Sequence, residues 1–280
     1  MDISNNSLKH MLVTTKRKQT VAGKAQSQVE SCLLKVEGNV ASITSLTKDL
    51  TGLTHVTTEV GYGVGGPSMT TSFPIPDIDR VLGILALHGA TVKLSYNKAN
   101  SKLVFKSGSK QTTLDASPDA LAFSHSQDTI SDHTDRSMLL AERIDSMGGV
   151  YTTADGGKIN SIACYTINST EMFEALRCDN MNGQKFNRYT FSGEKKGLSV
   201  LVGDPSIGGE TLTKVTVEGL SPIEPPKWEW SFDGGLDELF KQFSGPCNLH
   251  VFDFTEHGQG MRIAINFGNG SWAFQSGILA

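Results

Sequence analysis

The sequence predicts an α+β protein of two similar domains, each with two helices packed on antiparallel sheets. Three observations lead there: the chain length, a weak internal duplication, and a switch of apolar period from 3.6 to 2 after each helical segment. At 280 residues with 38% hydrophobic content, the chain exceeds one ordinary domain and falls short of three. The predicted division is a first domain at 1–115, a connector at 116–158 and a second domain at 159–280.

The duplication starts at the first helix. The stretch Ile3 to Leu12 matches Ile167 to Leu176 in pattern: a short extended run, a serine N-cap (Ser7, Ser169), then an amphipathic helix. Leu8, Met11, Leu12 and Thr15 fall at i, i+3, i+4 and i+7, and Met172, Ala175 and Leu176 repeat the spacing. A second match pairs Phe73 and a helix over Asp77 to Leu87 with Phe232 and a helix over Leu236 to Phe243. Phe73 and Phe232 stand as far apart as Val104 and Ile263, and Leu8 and Met172 nearly so, which a single duplication explains.

Each helix leads into a predicted hairpin. Val92 to Tyr96 with Leu103 to Phe105 is one, and Leu249 to Phe254 with Met261 to Ile265 is its counterpart. Cys32 to Val36 with Val40 to Leu46, and Phe186 to Phe191 with Leu198 to Val202, follow the other two helices. The connector is rich in Ser, Asp and Thr and holds glycine pairs. Within it Ser137 to Ser146 is predicted as a short, exposed helix.

Composition excludes several classes. Lys plus Arg number 25 against 29 Asp plus Glu, a formal charge of -4, so any contact with nucleic acid needs a local basic surface. No apolar run reaches membrane-spanning length and Met1 to His10 lacks the order of a signal peptide, so a soluble, intracellular protein is expected. The four cysteines, Cys32, Cys164, Cys178 and Cys247, form no Cys-x-x-Cys pair and read as buried free thiols. The seven histidines show no helical metal spacing. Gly61 to Gly66 resembles a phosphate loop without the following Lys-Ser/Thr and reads as a mobile loop. No enzyme, cofactor or metal is expected.

Four helices, each leading into a hairpin, two per domain, resemble the sliding clamp family of proliferating cell nuclear antigen and the phage processivity factors. The stretch Phe73-Pro-Ile-Pro-Asp-Ile-Asp-Arg-Val-Leu-Gly-Ile-Leu, then Val92-Lys-Leu-Ser-Tyr and Lys102-Leu-Val-Phe-Lys-Ser-Gly-Ser, is the most clamp-like. The resemblance implies a non-catalytic DNA polymerase processivity factor. It would close as a homotrimeric ring around duplex DNA without sequence preference, and be opened by a clamp loader. A cytoplasmic or nucleoid-associated place follows, in the host cytoplasm if the source is viral. Two alternatives remain open: a monomeric or dimeric processivity factor of the herpesvirus sort, and a virion structural or adhesion protein.

Three sets of residues are singled out. Opposite the apolar helix stripes lie Arg17, Arg80, Arg177 and Lys241, with Lys9, Lys16 and Lys18 flanking the first helix. These would face DNA phosphates, although Glu174 and Glu238 share the same faces and a mixed-charge solvated surface is the alternative. By resemblance, a partner peptide would dock on Leu46, Leu50, Leu53, Phe123, Phe274 and Ile278, the alternative being ordinary core. Subunits would join through strand edges at Lys102 to Lys106 (Leu103, Phe105) and Thr211 to Val217 (Leu212, Val215), unless those lysines guard a monomer's edges.

Overall fold

The computed structural model describes residues 1–21, 24–61, 70–145, 149–177, 188–194, 197–203, 212–219, 226–233 and 235–278. The glycine-rich stretch after Gly61, Cys178, Leu279 and Ala280 lie outside them. In chain order the elements are β1 (Asp2–Ser4), α1 (Asn5–Lys16), β2 (Lys18–Val21), β3 (Lys24–Ser27), β4 (Cys32–Glu37), β5 (Val40–Leu46), β6 (Gly52–Glu59), β7 (Thr71–Ile75), α2 (Ile78–Ala86), β8 (Thr91–Asn97), β9 (Lys102–Ser107) and β10 (Lys110–Asp115). There follow α3 (Ile130–Ala141), β11 (Val150–Thr152), β12 (Lys158–Asn160), β13 (Ala163–Asn168), α4 (Ser169–Leu176), β14 (Arg188–Glu194), β15 (Gly197–Val202), β16 (Thr213–Glu218), β17 (Glu229–Asp233), α5 (Leu236–Phe240), β18 (Pro246–Phe252), β19 (Arg262–Asn266) and β20 (Trp272–Ser276).

The chain divides into two compact units, Met1–Lys16 with Val29–Ala141, and Arg17–Gln28 with Glu142–Ala280. In the first, β1, β8, β9 and β10 form one antiparallel sheet in that order, and β7, β4, β5 and β6 form another. In the second, the corresponding sheets are β13-β18-β19-β20 and β16-β15-β14-β17. The hairpins β2–β3 and β11–β12 are additions to this unit. Each unit is therefore α+β and repeats two helices with two four-stranded sheets, to which the first unit adds α3. Residues 116–141 of the expected connector group with the first unit and the rest with the second.

Burial follows the apolar periods. Leu8, Met11 and Leu12 of α1, with Ile78, Val81 and Leu85 of α2, meet Leu34, Ile43, Val92, Leu103 and Phe105 in the first core. Met172, Ala175, Leu176, Leu239 and Phe240 meet Tyr189, Phe191, Leu249 and Ile263 in the second. Asn5 ties α1 to the end of α2. Its Nδ2 donates to the carbonyls of Leu85, His88 and Gly89 at 2.8, 3.1 and 2.9 Å, consuming acceptors that the end of α2 leaves over. In the second unit α5 is capped at its N-terminus by Gly235, whose φ of 91° and proximity to the Lys18 carbonyl both suit glycine.

Three local expectations are corrected. The N-cap of α4 is Asn168, whose Oδ1 accepts from the backbone N–H of Thr170, so Ser169 is the first helical residue rather than the cap. The last helix ends at Phe240 rather than Phe243. Most instructive is the connector helix: α3 begins seven residues before the expected Ser137 and is docked rather than exposed. It buries Ile130, His133, Thr134 and Ser137 against β5. Polar residues line that face because β4 pairs with β5 only as far as Ile43. Beyond it, the Leu46 N–H finds its acceptor in Ser137 Oγ at 3.0 Å.

Candidate nucleic-acid face, strand edges and partner surface

The helix cations fall into three states. Lys9 is half-buried, Lys18 and Arg80 are exposed, and none has a carboxylate partner among the described residues. Lys16 of α1 is buried at the helix end and ion-pairs with Asp79 in the first turn of α2. Arg177 pairs with Glu174 at 3.4 Å and Lys241 with Glu238 at 3.6 Å, each three residues apart. Arg17 corrects the helical-wheel placement: α1 ends at Lys16, and Arg17 turns to φ 41°. It is 3% exposed and donates from Nη2 to Gln275 Oε1 at 2.6 Å, so it is an interior anchor of the second unit and not a surface cation.

Strand pairing corrects the first expected edge. β9 lies between β8 and β10, and Leu103 and Phe105 are fully buried in the core. β10 borders that sheet and pairs only with β9 among the described residues; its single apolar residue, Leu114, gave little periodic signal. The second expected edge does lie at the border of its sheet. β16 pairs only with β15 among the described residues, with Leu212 just before it 42% exposed and Val215 half-buried.

The expected partner-peptide residues belong to both units. Leu46 and Leu53 are cross-strand partners of β5 and β6 and are buried. Leu50, between them, holds φ 62° with 56% exposure. Its turn is fixed by Asp49, which accepts from Thr47 Oγ1 at 2.6 Å and from Thr51 Oγ1 and N–H at 2.9 and 3.1 Å. Phe123 is buried edge-on against His133 of α3 and stacked on His125. Leu46 and Phe123 thus meet the same helix, one through Ser137 and the other through His133.

In the second unit Phe274 is buried outside the main core, stacked on Tyr151 at 5.7 Å. Ile278 is half-buried, and its N–H donates to the Ser231 carbonyl at 2.8 Å. The residues missed by sequence reasoning surround Phe274. Phe252 and Phe254 complete an aromatic layer with Tyr151, and the Arg262 guanidinium lies 4.3 Å from the Phe254 centroid, 5.6 Å from Tyr151 and 5.7 Å from Phe274. The spacing of Phe252 at the end of β18 and Phe254 just past it, with Arg262 opening β19, was the available signal.

Burial favours the protonated form of the three described thiols. Burial pushes the Cys32 thiol far up and Cys247 up to about 11. Cys164 sits 3.6 Å from His250 Nε2, but burial raises its thiol as well, opposing thiolate formation. Among the described residues no three His, Cys, Asp or Glu side chains converge as metal ligands, and no helix is long and apolar enough to cross a membrane.

This architecture is the fold of the DNA polymerase sliding clamps, and solved clamp structures match it over the whole chain. The sequence itself matches no family model and no curated protein. The DNA polymerase sliding clamp of Bacillus subtilis superimposes with a TM-score of 0.63 at 13% identity, over 100% of this chain and 64% of that one, so the chain spans about two thirds of the bacterial clamp. Proliferating cellular nuclear antigen of Entamoeba histolytica gives 0.61 at 11% identity, over 99% and 96%. PCNA of A. fulgidus, solved with the C-terminal region of FEN-1 bound, gives 0.60 at 11% identity, over 100% and 98%.

Proposed function

We propose that this chain is a sliding clamp, a non-catalytic processivity factor that encircles duplex DNA as a homotrimer and tethers a polymerase after a clamp loader has opened it. The observation that carries the reading is the repeated unit of two helices on two four-stranded sheets, in a chain of nearly the full length of a eukaryotic clamp. In clamps of two domains per subunit, three copies complete a ring. The open edges β10 and β16 are the surfaces through which copies would join, since each offers backbone groups without a strand partner among the described residues.

On this reading Lys9, Lys18 and Arg80 make the direct phosphate contacts, Arg177 and Lys241 exchange a carboxylate for a phosphate, and Lys16 stays buried on Asp79. Sequence-independent binding needs no more than that. Leu46, Leu50, Leu53 and Phe123 in one unit, and Phe274, Ile278 and the Arg262 layer in the other, serve docking peptides of polymerase and loader.

Sedimentation and a processivity assay test the proposal together. A trimer that lengthens polymerase products on primed circular DNA is the expected outcome. A monomer without effect in that assay would overturn it.

A further inference from the structure

The unneutralised cations of the first unit are concentrated on a sheet rather than on its helices. In the sheet β1-β8-β9-β10, residues alternate between the core side (Val92, Leu94, Leu103, Phe105) and an outward side. Lys93 of β8 and Lys106 of β9 are exposed on the outward side and directly opposite one another. Lys98 and Lys110 stand in or beside the turns at either end of β9. Lys110 caps the end of α2 through the Leu87 carbonyl at 3.0 Å, and only Lys102 has a carboxylate, Asp115, within ion-pair distance among the described residues. Asp2 lies opposite Lys93 on β1 without forming an ion pair.

Edge protection does not account for this arrangement. Lysines guard strands that have an open side, whereas β8 and β9 are flanked by partners on both sides. Like charges directly opposite on a sheet destabilise it by a few tenths of a kcal/mol or more, so the Lys93–Lys106 pair costs the isolated fold some stability. A ligand that supplies negative charge between the two ammonium groups would reverse that cost.

We infer that this outward face docks an acidic, extended segment of a partner protein. The four-residue step from Lys102 to Lys106 along β9 spans about 13 Å, which alternate carboxylates of an extended chain can follow. Nucleic acid fits less well: no arginine and no aromatic ring projects from this face, and single-strand sites rely on stacking. The inference stands apart from the clamp proposal, because it concerns the side of the sheet away from the helices.

Fluorescence anisotropy of a labelled deca-glutamate peptide and of a labelled duplex, each titrated with the whole chain at low ionic strength, provides the test. The double substitution Lys93→Ser/Lys106→Ser should weaken the peptide about tenfold, as two lost surface ion pairs would, and leave duplex affinity unchanged. Lys158→Ser, on β12 of the other unit, should change neither. Lys106→Glu should raise the melting temperature while weakening the peptide, which separates a binding role from a structural one. Peptide affinity unchanged in the double variant, an equal loss in Lys158→Ser, or a loss of duplex instead of peptide would each overturn the inference.

Discussion

If β10 of one copy lies antiparallel beside β16 of the next, the alternation of both strands restricts the register. Thr112 and Leu114 face the core side of their sheet, where Thr112 Oγ1 meets His88 Nε2 at 3.0 Å. Val215 and Val217 face the core side of theirs. Matching these sides with Asp115 opposite Lys214 also brings Leu114 to Val215, Thr113 to Thr216 and Thr112 to Val217, one charge pair, one apolar pair and one threonine pair across the seam. A two-residue slip either way loses the charge pair. Asp115→Lys would turn attraction into repulsion, a swing of roughly 1 kcal/mol per seam. Over three seams that is roughly 3 kcal/mol, or about a hundredfold in the assembly constant. The exposed Lys102 pair that Asp115 also makes contributes little to the subunit itself. Sedimentation across a concentration series reads the loss, the exchange Asp115→Lys/Lys214→Asp should restore assembly, and Thr113→Cys/Thr216→Cys should yield covalent trimers on oxidation. An Asp115→Lys chain that assembles like the native one refutes the register, as do native trimers that the cysteine pair fails to cross-link. Absence of any trimer refutes the ring.

Three further outcomes are expected. Lys9→Ser/Lys18→Ser/Arg80→Ser should reduce the slope of log affinity for duplex against log salt by about 0.9 for each lost phosphate contact, and Arg177→Ser/Lys241→Ser by less; equal reductions would contradict the direct and exchanged contacts assigned to them. Burial lowers the affinity of His10, His55 and His133 for protons below the ordinary histidine value of 6.5. Between the depressed folded values and 6.5 the unfolded chain therefore binds more protons, so stability falls as pH drops through that window and is level above it. The melting temperature should be lower at about pH 5.5 than at about pH 7.5, and a reversed order would sink the argument. Gly193→Ala drives a methyl into the Trp228 indole and the Tyr165 hydroxyl, which are hydrogen-bonded to each other at 3.2 Å. A destabilisation of about 1–3 kcal/mol in urea unfolding is expected, and none would show that the pair can move aside.

What the sequence made legible was whatever local periodicity encodes. The stripes of α1, α2 and α4 and the alternation of β8, β9, β18 and β19 each put enough apolar side chains on one side to be read directly. The edge of the first unit's sheet was not readable that way, because β9 is internal only by virtue of β10, and β10 offers a single buried leucine as its signal. The α3 helix was missed over its first half for a related reason. Beyond Ile130 its docked face is histidine, threonine and serine, with His133 meeting the Ser45 hydroxyl and Ser137 the Leu46 N–H of β5, and an apolar-period search is blind to such a face. Arg17 failed on geometry, since a helical wheel has no means of knowing that the chain leaves the helix one residue earlier.

The cations themselves show why pattern alone understated the chemistry. Wheel arguments place a charge on a face but not its partner, and the partners here decide what the face can do. Lys16, Arg177 and Lys241 each arrive with a carboxylate in reach; Lys16 is buried with its partner, and at the exposed Arg177 and Lys241 a phosphate replaces one ion pair by another, for a small net gain. A ring with only a few unencumbered cations would then hold DNA weakly and at no fixed register. For a protein proposed to slide, that is the useful regime: strong, fully unpaired phosphate clamps would raise affinity by deepening each stop along the duplex, and would slow the motion that tethering requires.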